Sequence, residues 1–286
     1  MFDYNSYVEA GSVEEAVGYL TGHLNARVIA GGTDVLIKLR ERSGQYIGCD
    51  LVGIARIPAL KRITEGGGCI TIGSAVTFTH LENDPLIQKF LPGLVKAAGS
   101  VGGPQIRNMG TIGGNIANGA PSADIAPILF THNAIIIIQN KDGTKELPIS
   151  AFYKGPGKVG LSKGDLLAAV KINKCDYEGF KGEYIKFSPR NAMDIATLGC
   201  AVLIKTAGGL IQDLRIAFGV AGPTPLRAFT AEGFAAGMPL TEETFKAIGV
   251  KCLEDTKARD SWRGSKSFRE QLIQVLPGKA INSALA

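Results

Sequence analysis

Apolar residues at the start of the chain follow first a helical and then a strand-like spacing. Ser12 and Glu15 form a capping-box pattern, and the apolar Val17 and Leu20 follow it at helical spacing. The predicted elements of this region are a helix at 13–21, a strand at 27–30, a helix start at 35–39 and a strand at 50–54. Residues 1–58 are therefore predicted to form a small α/β unit.

A longer mixed segment follows, in which strand-like runs flank helical stretches. Gly66-Gly67-Gly68 is typical of a turn between two short strands, and the β-branched run at 134–138 has the composition of a buried strand. Asp142-Gly143 is typical of a hairpin turn. Strands are predicted at 62–64, 69–72, 134–140, 145–149 and 165–172, helices at 77–90, 91–100 and 124–131, and a long loop at 102–122. These elements place a second unit at 59–174.

The C-terminal part alternates apolar and polar residues in the manner of an antiparallel sheet. A polar linker is predicted at 173–182, and Gly208-Gly209 is typical of a hairpin turn. Strands are predicted at 183–188, 197–205 and 210–220, followed by two or three helices, the first at 228–237. Residues 178–286 are therefore predicted to form a third unit, and the chain as a whole an α+β protein.

Composition excludes several classes of function. The net charge of +5 over 286 residues is too weak and too dispersed for a nucleic-acid-binding protein. The five cysteines include no CxxC pair, so we expect no disulfide framework and no metal or iron–sulfur site, and a cytoplasmic location is favoured. The N-terminus lacks the features of a signal peptide, and no apolar run is long enough to span a membrane. The basic stretch 257–269 is either a solvated helix face or a docking surface.

The segment 28–35, VIAGGTDV, joins a predicted strand to a predicted helix through two glycines. Successive amides in such a turn form an anion-binding nest, and glycine lets a phosphate approach the backbone closely. The helix N-terminus adds partial positive charge, and Thr33 supplies a hydroxyl donor. An ordinary tight turn is the structural alternative. We call residues 30–34 the first loop.

A second glycine-rich segment, GTIGGNIANG at 110–119, contains small and polar residues that can expose backbone donors. We call residues 111–115 the second loop. Asp124 follows near a predicted helix start, where its carboxylate either binds sugar-like hydroxyls or simply caps the helix. Two such loops in one chain favour a pyrophosphate clamp. By contrast, GPGKVG at 155–160 matches GxGxxG but precedes a strand, so it predicts a surface turn.

The two loops, AGGTD at 30–34 and TIGGNIANG at 111–119, resemble the FAD-binding signature of the molybdenum hydroxylase flavoproteins. This family includes xanthine dehydrogenase, aldehyde oxidase and carbon monoxide dehydrogenase. The similarity covers nearly the whole chain and is closest to the separate FAD subunits of bacterial xanthine dehydrogenases. Its further segments are GPQIRN at 103–108, YIKF at 184–187, MDIA at 193–196, AFGVA at 217–221 and PTPLR at 223–227.

The resemblance implies an FAD-binding fold of the vanillyl-alcohol oxidase type, in which two α/β subdomains clamp FAD. A three-stranded antiparallel sheet with a helical cluster forms the C-terminal domain. The residues that it places around the pyrophosphate are Arg27, Val28, Ile29, Ala30, Gly31, Gly32, Thr33, Asp34, Val35, Gly110, Thr111, Ile112, Gly113, Gly114 and Asn115. Those near the ribityl chain or the phosphates are Asn118 and Asp124, and those near the isoalloxazine are Val101, Gly102, Leu166, Leu167 and Lys186. A surface lysine is the alternative for Lys186.

The resemblance also implies an electron-transfer subunit that needs no catalytic side chain and no metal, because the flavin itself does the chemistry. Electrons would arrive from [2Fe–2S] clusters on a small partner subunit and leave to an acceptor, with NAD+ expected. A large partner subunit would bind molybdopterin and oxidise the substrate. Purines are the expected substrate, and aldehydes, nicotinate-like heterocycles and carbon monoxide are alternatives.

Two other functions stay open at this point. A self-standing flavin oxidase of the vanillyl-alcohol type would carry its own substrate pocket and often attaches FAD to a histidine or cysteine. His80 and Cys69 are the only candidates for such an attachment near the second unit. An assembly module that no longer binds flavin is the other alternative, and the two intact loops argue against it.

Overall fold

The computed structural model describes residues 2–286 and arranges them as three main sheets in chain order, with helices packed on them, and one small two-stranded sheet. The strands are β1 (Tyr4–Glu9), β2 (Ala26–Ile29), β3 (Cys49–Gly53), β4 (Ile63–Gly66), β5 (Cys69–Gly73), β6 (Ile135–Asn140), β7 (Gly143–Pro148), β8 (Tyr153–Gly155), β9 (Lys158–Val159), β10 (Leu166–Asn173), β11 (Lys181–Phe187), β12 (Leu198–Ala207), β13 (Leu210–Gly219) and β14 (Leu226–Arg227). The helices are α1 (Val13–Gly22), α2 (Val35–Arg40), α3 (Phe78–Asn83), α4 (Pro85–Phe90), α5 (Pro92–Gly99), α6 (Pro104–Met109), α7 (Ile112–Ala117), α8 (Ile125–Thr131), α9 (Ile149–Phe152), α10 (Phe229–Ala235), α11 (Glu242–Cys252) and α12 (Lys266–Leu285). Within residues 2–286, none of these helices has the length and hydrophobicity needed to cross a bilayer.

The first sheet is parallel, with the strand order β1-β3-β2. Its strand β1 was not predicted, because none of its residues is buried and no apolar alternation marks it. The predicted helix α1 is confirmed: the Ser12 hydroxyl accepts a hydrogen bond from the Glu15 amide at 3.1 Å. The Glu15 carboxylate accepts from the Gly11 amide, one residue before the position that a capping box requires.

The second sheet is antiparallel, in the order β4-β5-β10-β6-β7, and contains the five strands predicted for it. The single helix predicted at 77–90 is wrong, because the chain breaks at Asp84 and restarts as α4 at Pro85. The long loop predicted at 102–122 is also wrong, because it contains the short helices α6 and α7. Residues 155–160 form the tight β8–β9 hairpin rather than a helix start, which agrees with the predicted turn.

The third sheet has the order β11-β12-β13-β14, so the three predicted strands are confirmed and a two-residue strand extends them. Strand β12 is buried on both faces. Ala201 and Leu203 pack into the core of the second unit, while Cys200 and Val202 pack against the C-terminal helices. This double burial explains why β12 is almost continuously apolar. The predicted domain limits stay a prediction.

A buried polar cluster joins the second unit to the third sheet. The Arg215 guanidinium donates to the Asp176 carboxylate at 2.8 Å and to the Thr131 carbonyl at 3.2 Å. The ring of His132 bonds through Nδ1 to the Asp176 carbonyl at 2.9 Å, and its Nε2 has no partner among residues 2–286. Burial, together with the nearby Arg215 charge, lowers the pKa of His132 from 6.5 to about 4.

His132 is expected to make the fold acid-sensitive. Between pH 6.5 and about 4 the unfolded chain binds a proton at this residue and the folded chain does not, so stability is lost as the pH falls. The loss over this window amounts to about 3 kcal/mol, at 1.4 kcal/mol per pH unit. Urea unfolding of His132→Asn at pH 7 and pH 4.5 should therefore show a smaller loss than the unmodified chain. His80→Asn, at an exposed histidine, should not, and equal losses in all three proteins would contradict the prediction.

Candidate functional site

The main cleft lies between the first loop, the segment around the second loop, and strand β10. Most of the residues predicted to contact a cofactor meet on its wall. They are Val28, Ala30, Gly31, Gly32, Thr33, Asp34, Val35, Val101, Gly110, Thr111, Gly113, Gly114, Asn115, Asn118, Leu166 and Leu167. The cleft therefore brings together residues of the first unit and residues of the second unit.

The first loop presents unpartnered backbone donors to this cleft. No amide from residue 31 to residue 35 has a hydrogen-bond partner among the described residues. Gly32 adopts a φ of +73°, which glycine tolerates and which turns the backbone toward the cleft. Gly31 passes against the neighbouring backbone, since a Cβ on it would lie 1.6 Å from the Met109 carbonyl oxygen. A run of free amides of this kind binds an anion, as the sequence predicts.

The second loop does not present its backbone donors to the cleft in the way that the sequence predicts. Thr111 caps helix α7 by accepting a hydrogen bond from the Gly114 amide at 3.1 Å. The Ile112 amide donates to Val76 and the Gly113 amide to Ser74, so the prediction that this loop exposes its donors is wrong for these amides. The glycines serve close packing instead, since a Cβ on Gly113 would lie 2.7 Å from the Ser74 carbonyl oxygen. The second loop thus forms a wall of the cleft rather than a second nest.

The rest of the wall combines apolar side chains with unpartnered polar atoms. A register shift in β10 after Leu167 places both Leu166 and Leu167, each at most 5% exposed, on the cleft. Ser74 Oγ and Asn115 Oδ1 are buried on the same wall and have no hydrogen-bond partner within residues 2–286. Free amides, a close backbone approach and unsatisfied polar atoms beside an apolar surface fit FAD, which has phosphates, hydroxyls and a flat ring system.

Sequence reasoning missed several residues of the cleft wall. They are Lys38, Tyr46, Ile54, Ser74, Phe78, Ile106, Ala117, Leu161 and Asp165. Lys38 is one helical turn beyond the first loop, and its spacing from Asp34 could have indicated an ion pair. Ile106 and Ala117 lie within the quoted segments GPQIRN and GTIGGNIANG, and Asp165 directly precedes Leu166. Tyr46, Ile54, Ser74, Phe78 and Leu161 lie far apart along the chain, and no local pattern brings them together.

Six predicted residues do not line the cleft: Arg27, Ile29, Gly102, Ile112, Asp124 and Lys186. Ile29 and Ile112 are packed into the apolar cores behind the loops. Gly102 follows the cleft residue Val101, and its carbonyl accepts a hydrogen bond from the Met193 amide at 3.2 Å. Direct contacts of these residues with the cofactor stay a prediction.

Asp124 and Lys186 form a buried ion pair behind the cleft. Lys186 Nζ lies 2.9 Å from Asp124 Oδ2 and donates to the Ser100 carbonyl at 3.0 Å. The Tyr184 hydroxyl donates to the other Asp124 oxygen at 2.9 Å. Burial raises the pKa of the Asp124 carboxyl above its usual range, and the Lys186 charge opposes this shift. Lys186 is therefore not a surface lysine, and Asp124 makes no side-chain hydrogen bond that caps helix α8.

The residues considered for other kinds of site stand apart from the cleft. His80 and Cys69, the candidates for covalent attachment of a flavin, do not line it. The five cysteines are free, and no cluster of potential metal ligands occurs within residues 2–286.

The basic stretch 257–269 is not a continuous helix face. Helix α12 begins only at Lys266, and the preceding turn is held by the buried Arg269, which donates to the carbonyls of Thr197 and Gly264. The turn displays Trp262, whose side chain is 85% exposed, beneath the guanidinium of Arg263. The stretch before Lys266 is thus not helical, and both the solvated-surface and the docking interpretations stay open.

Comparison with known protein families matches nearly the whole length of the chain. Residues 2–174 match the family described as the FAD binding domain in molybdopterin dehydrogenase. Residues 183–284 match the CO dehydrogenase flavoprotein C-terminal domain.

Individual relatives agree with these matches. The chain is 42% identical to the putative xanthine dehydrogenase FAD-binding subunit XdhB of Escherichia coli strain K12, over all of this chain and 98% of that protein. It is 32% identical to the glyceraldehyde dehydrogenase medium chain of Sulfolobus acidocaldarius, over 96% of each. Among solved structures, a carbon monoxide dehydrogenase chain from Hydrogenophaga pseudoflava superposes with a TM-score of 0.93 at 29% identity, over all of this chain and 98% of that one.

The chain therefore belongs to the FAD-binding proteins of the molybdenum hydroxylases. It is a flavoprotein subunit of an oxidoreductase, and its fold is the one expected from the sequence.

Proposed function

We propose that this chain is the electron-transfer subunit of a xanthine dehydrogenase-type complex. It takes electrons from [2Fe–2S] clusters on a small partner subunit and passes them to NAD+. A large partner subunit binds molybdopterin and oxidises the substrate, a purine. The complex works in the cytoplasm, a proposal supported by the five free cysteines.

The assignment of a purine substrate depends on one observation. Among the relatives compared above, the highest identity is with a protein named as a xanthine dehydrogenase FAD-binding subunit, and the identity extends over the whole chain. The glyceraldehyde and carbon monoxide dehydrogenase medium chains match nearly the whole chain at lower identity, which supports the shared flavin role rather than their substrates. Substrate specificity belongs to the molybdopterin-binding partner, so this chain does not determine it.

The cleft supports the proposed role in binding and orienting the cofactor. FAD, when bound, supplies the redox chemistry. The free amides of residues 31–35 and the Thr33 hydroxyl hold its diphosphate, and Ser74 and Asn115 bond its polar groups. Val101, Leu166 and Leu167 form an apolar surface that excludes water from the ring system.

Lys186 acts on this site through the backbone. Its ammonium binds the Ser100 carbonyl, and Ser100 directly precedes Val101 on the cleft wall. We propose that Lys186 positions this wall and contributes positive charge on the flavin side of the cleft. The paired Asp124 orients the ammonium and offsets part of its charge.

The native complex tests this function. We expect the purified complex to contain FAD, iron and molybdenum, and to reduce NAD+ in the presence of xanthine. Aldehydes, nicotinate and carbon monoxide serve as alternative substrates, and a dye serves as the alternative acceptor. Preferential oxidation of another substrate would overturn the purine assignment, and reduction of the dye but not of NAD+ would overturn the acceptor. Yellow colour that stays with the denatured chain would instead favour a self-standing flavin oxidase.

A further inference from the structure

Lys38 is the only positively charged side chain on the cleft wall among the described residues. It lies on α2, one turn beyond the first loop. Its ammonium is 2.5 Å from Asp34 Oδ2 and 2.6 Å from Asn118 Oδ1. It also lies 5.2 Å from the centre of the Tyr46 ring. The side chain is 29% exposed, so a ligand in the cleft can reach it.

The contact between Lys38 and Asn118 joins the two sides of the cleft. These residues are 80 positions apart in the sequence. Asn118 directly follows helix α7, and the first turn of this helix is formed by the second loop. Within residues 2–286 this contact is the only side-chain hydrogen bond between α2 and this segment. Lys38 therefore holds Asp34 and Asn118 in a fixed relation across the opening.

The other charged side chains of the cleft wall indicate that Lys38 also has an electrostatic role. Apart from Lys38, the charged side chains of this wall are the acidic Asp34 and Asp165. Asp165 is satisfied by Asn140 and by the Ser162 amide. Asp34 belongs to the first loop itself, beside the unpartnered amides. A diphosphate at these amides would be repelled by the Asp34 carboxylate unless Lys38 neutralised it.

We propose that Lys38 is a positioning residue that determines specificity for the dinucleotide form of the flavin. It neutralises Asp34, fixes Asn118 and provides the positive charge beside the diphosphate. FAD and other ligands with an adenosine diphosphate are therefore favoured over riboflavin, which has no phosphate. This inference rests on the assignment of the cleft to FAD.

Binding to the full-length chain, freed of flavin, tests the role of Lys38. The affinities for FAD, ADP and riboflavin are measured by titration calorimetry for the unmodified chain and for Lys38→Gln. We expect the substitution to weaken FAD and ADP about tenfold, the size typical of one charge-assisted hydrogen bond at a partly exposed site. Riboflavin should bind equally well to both proteins. Lys251→Gln, which removes the surface ion pair between Lys251 at the end of α11 and Glu254, is the matched control and should change none of the affinities.

Two further measurements separate charge from structure. If Lys38 acts by neutralising Asp34, Lys38→Gln should have a smaller effect in an Asp34→Asn background. The affinity of the unmodified chain for ADP should also fall with rising salt while that for riboflavin does not, which remains measurable even if the variants fail to fold.

The outcomes distinguish this inference from the flavin assignment. Unchanged affinities in Lys38→Gln, an equal loss for riboflavin, or an ADP affinity independent of salt would each overturn the role of Lys38. An unmodified chain that binds neither FAD nor ADP would overturn the flavin site itself.

Discussion

Replacing Gly31 with alanine is expected to abolish useful FAD binding. The new methyl group would lie 1.6 Å from the Met109 carbonyl oxygen, so the first loop and the segment before the second loop must separate. Both the free amides and the opposite wall would then move away from the cofactor. A change of this kind costs several kcal/mol, which corresponds to a loss of affinity of at least about a hundredfold. Titration of the flavin-free chain with FAD, followed by flavin fluorescence, measures it.

Two other glycines provide the controls for Gly31→Ala. A Cβ on Gly249 would lie 1.9 Å from the Gln274 carbonyl oxygen, which is a comparable clash between α11 and α12. Gly249→Ala should lower the thermal stability and leave the FAD affinity of the folded protein unchanged. A Cβ on Gly18 meets nothing within 4 Å, so Gly18→Ala should be harmless to both. The prediction fails if Gly31→Ala binds FAD within twofold of the unmodified chain.

The second large effect is expected from Lys186→Met, which removes one partner of the buried ion pair. Each side chain of the pair is only 9% exposed, so Asp124 would be left either unpaired or protonated. Breaking a buried pair in this way typically costs about 3–5 kcal/mol. We also expect the reduction potential of the bound flavin to shift toward more negative values, because a positive charge is lost near the cleft. Chemical denaturation and a spectroscopic redox titration measure the two effects.

Tyr184→Phe is the matched control for Lys186→Met. It removes the other hydrogen bond to Asp124 but leaves both charges in place. The expected cost is about 1 kcal/mol, with little change in the flavin potential. The double variant Asp124→Asn with Lys186→Met should recover part of the lost stability, because no unpaired charge remains. An unchanged flavin potential and an unchanged rate of NADH oxidation in Lys186→Met would refute the proposed role of Lys186.

Most of the secondary structure could be predicted from the sequence because its patterns are local. The alternation at the start of β13 and the cap at Ser12 depend on neighbouring residues alone. Strand β1 has no apolar alternation. It becomes part of the sheet by pairing with β3, which is 40 or more positions away in the sequence. Helix α7 contains two glycines and is fixed by hydrogen bonds from Ile112 and Gly113 to the backbone at Val76 and Ser74. Elements that depend on such distant partners could not be predicted.

The sequence by itself singled out two glycine-rich loops, because close backbone approach requires glycine. Their resemblance to a known signature then indicated a flavin-binding family. The sequence could not determine how the two loops differ. Only the tertiary structure leaves the amides of the first loop free and satisfies those of the second, since the acceptors at Ser74 and Val76 come from another part of the chain. It also brings Lys38 to Asn118 and Lys186 to Asp124, across 80 and 62 positions of sequence. These long-range polar contacts follow from the fold, because partners this far apart leave no local pattern.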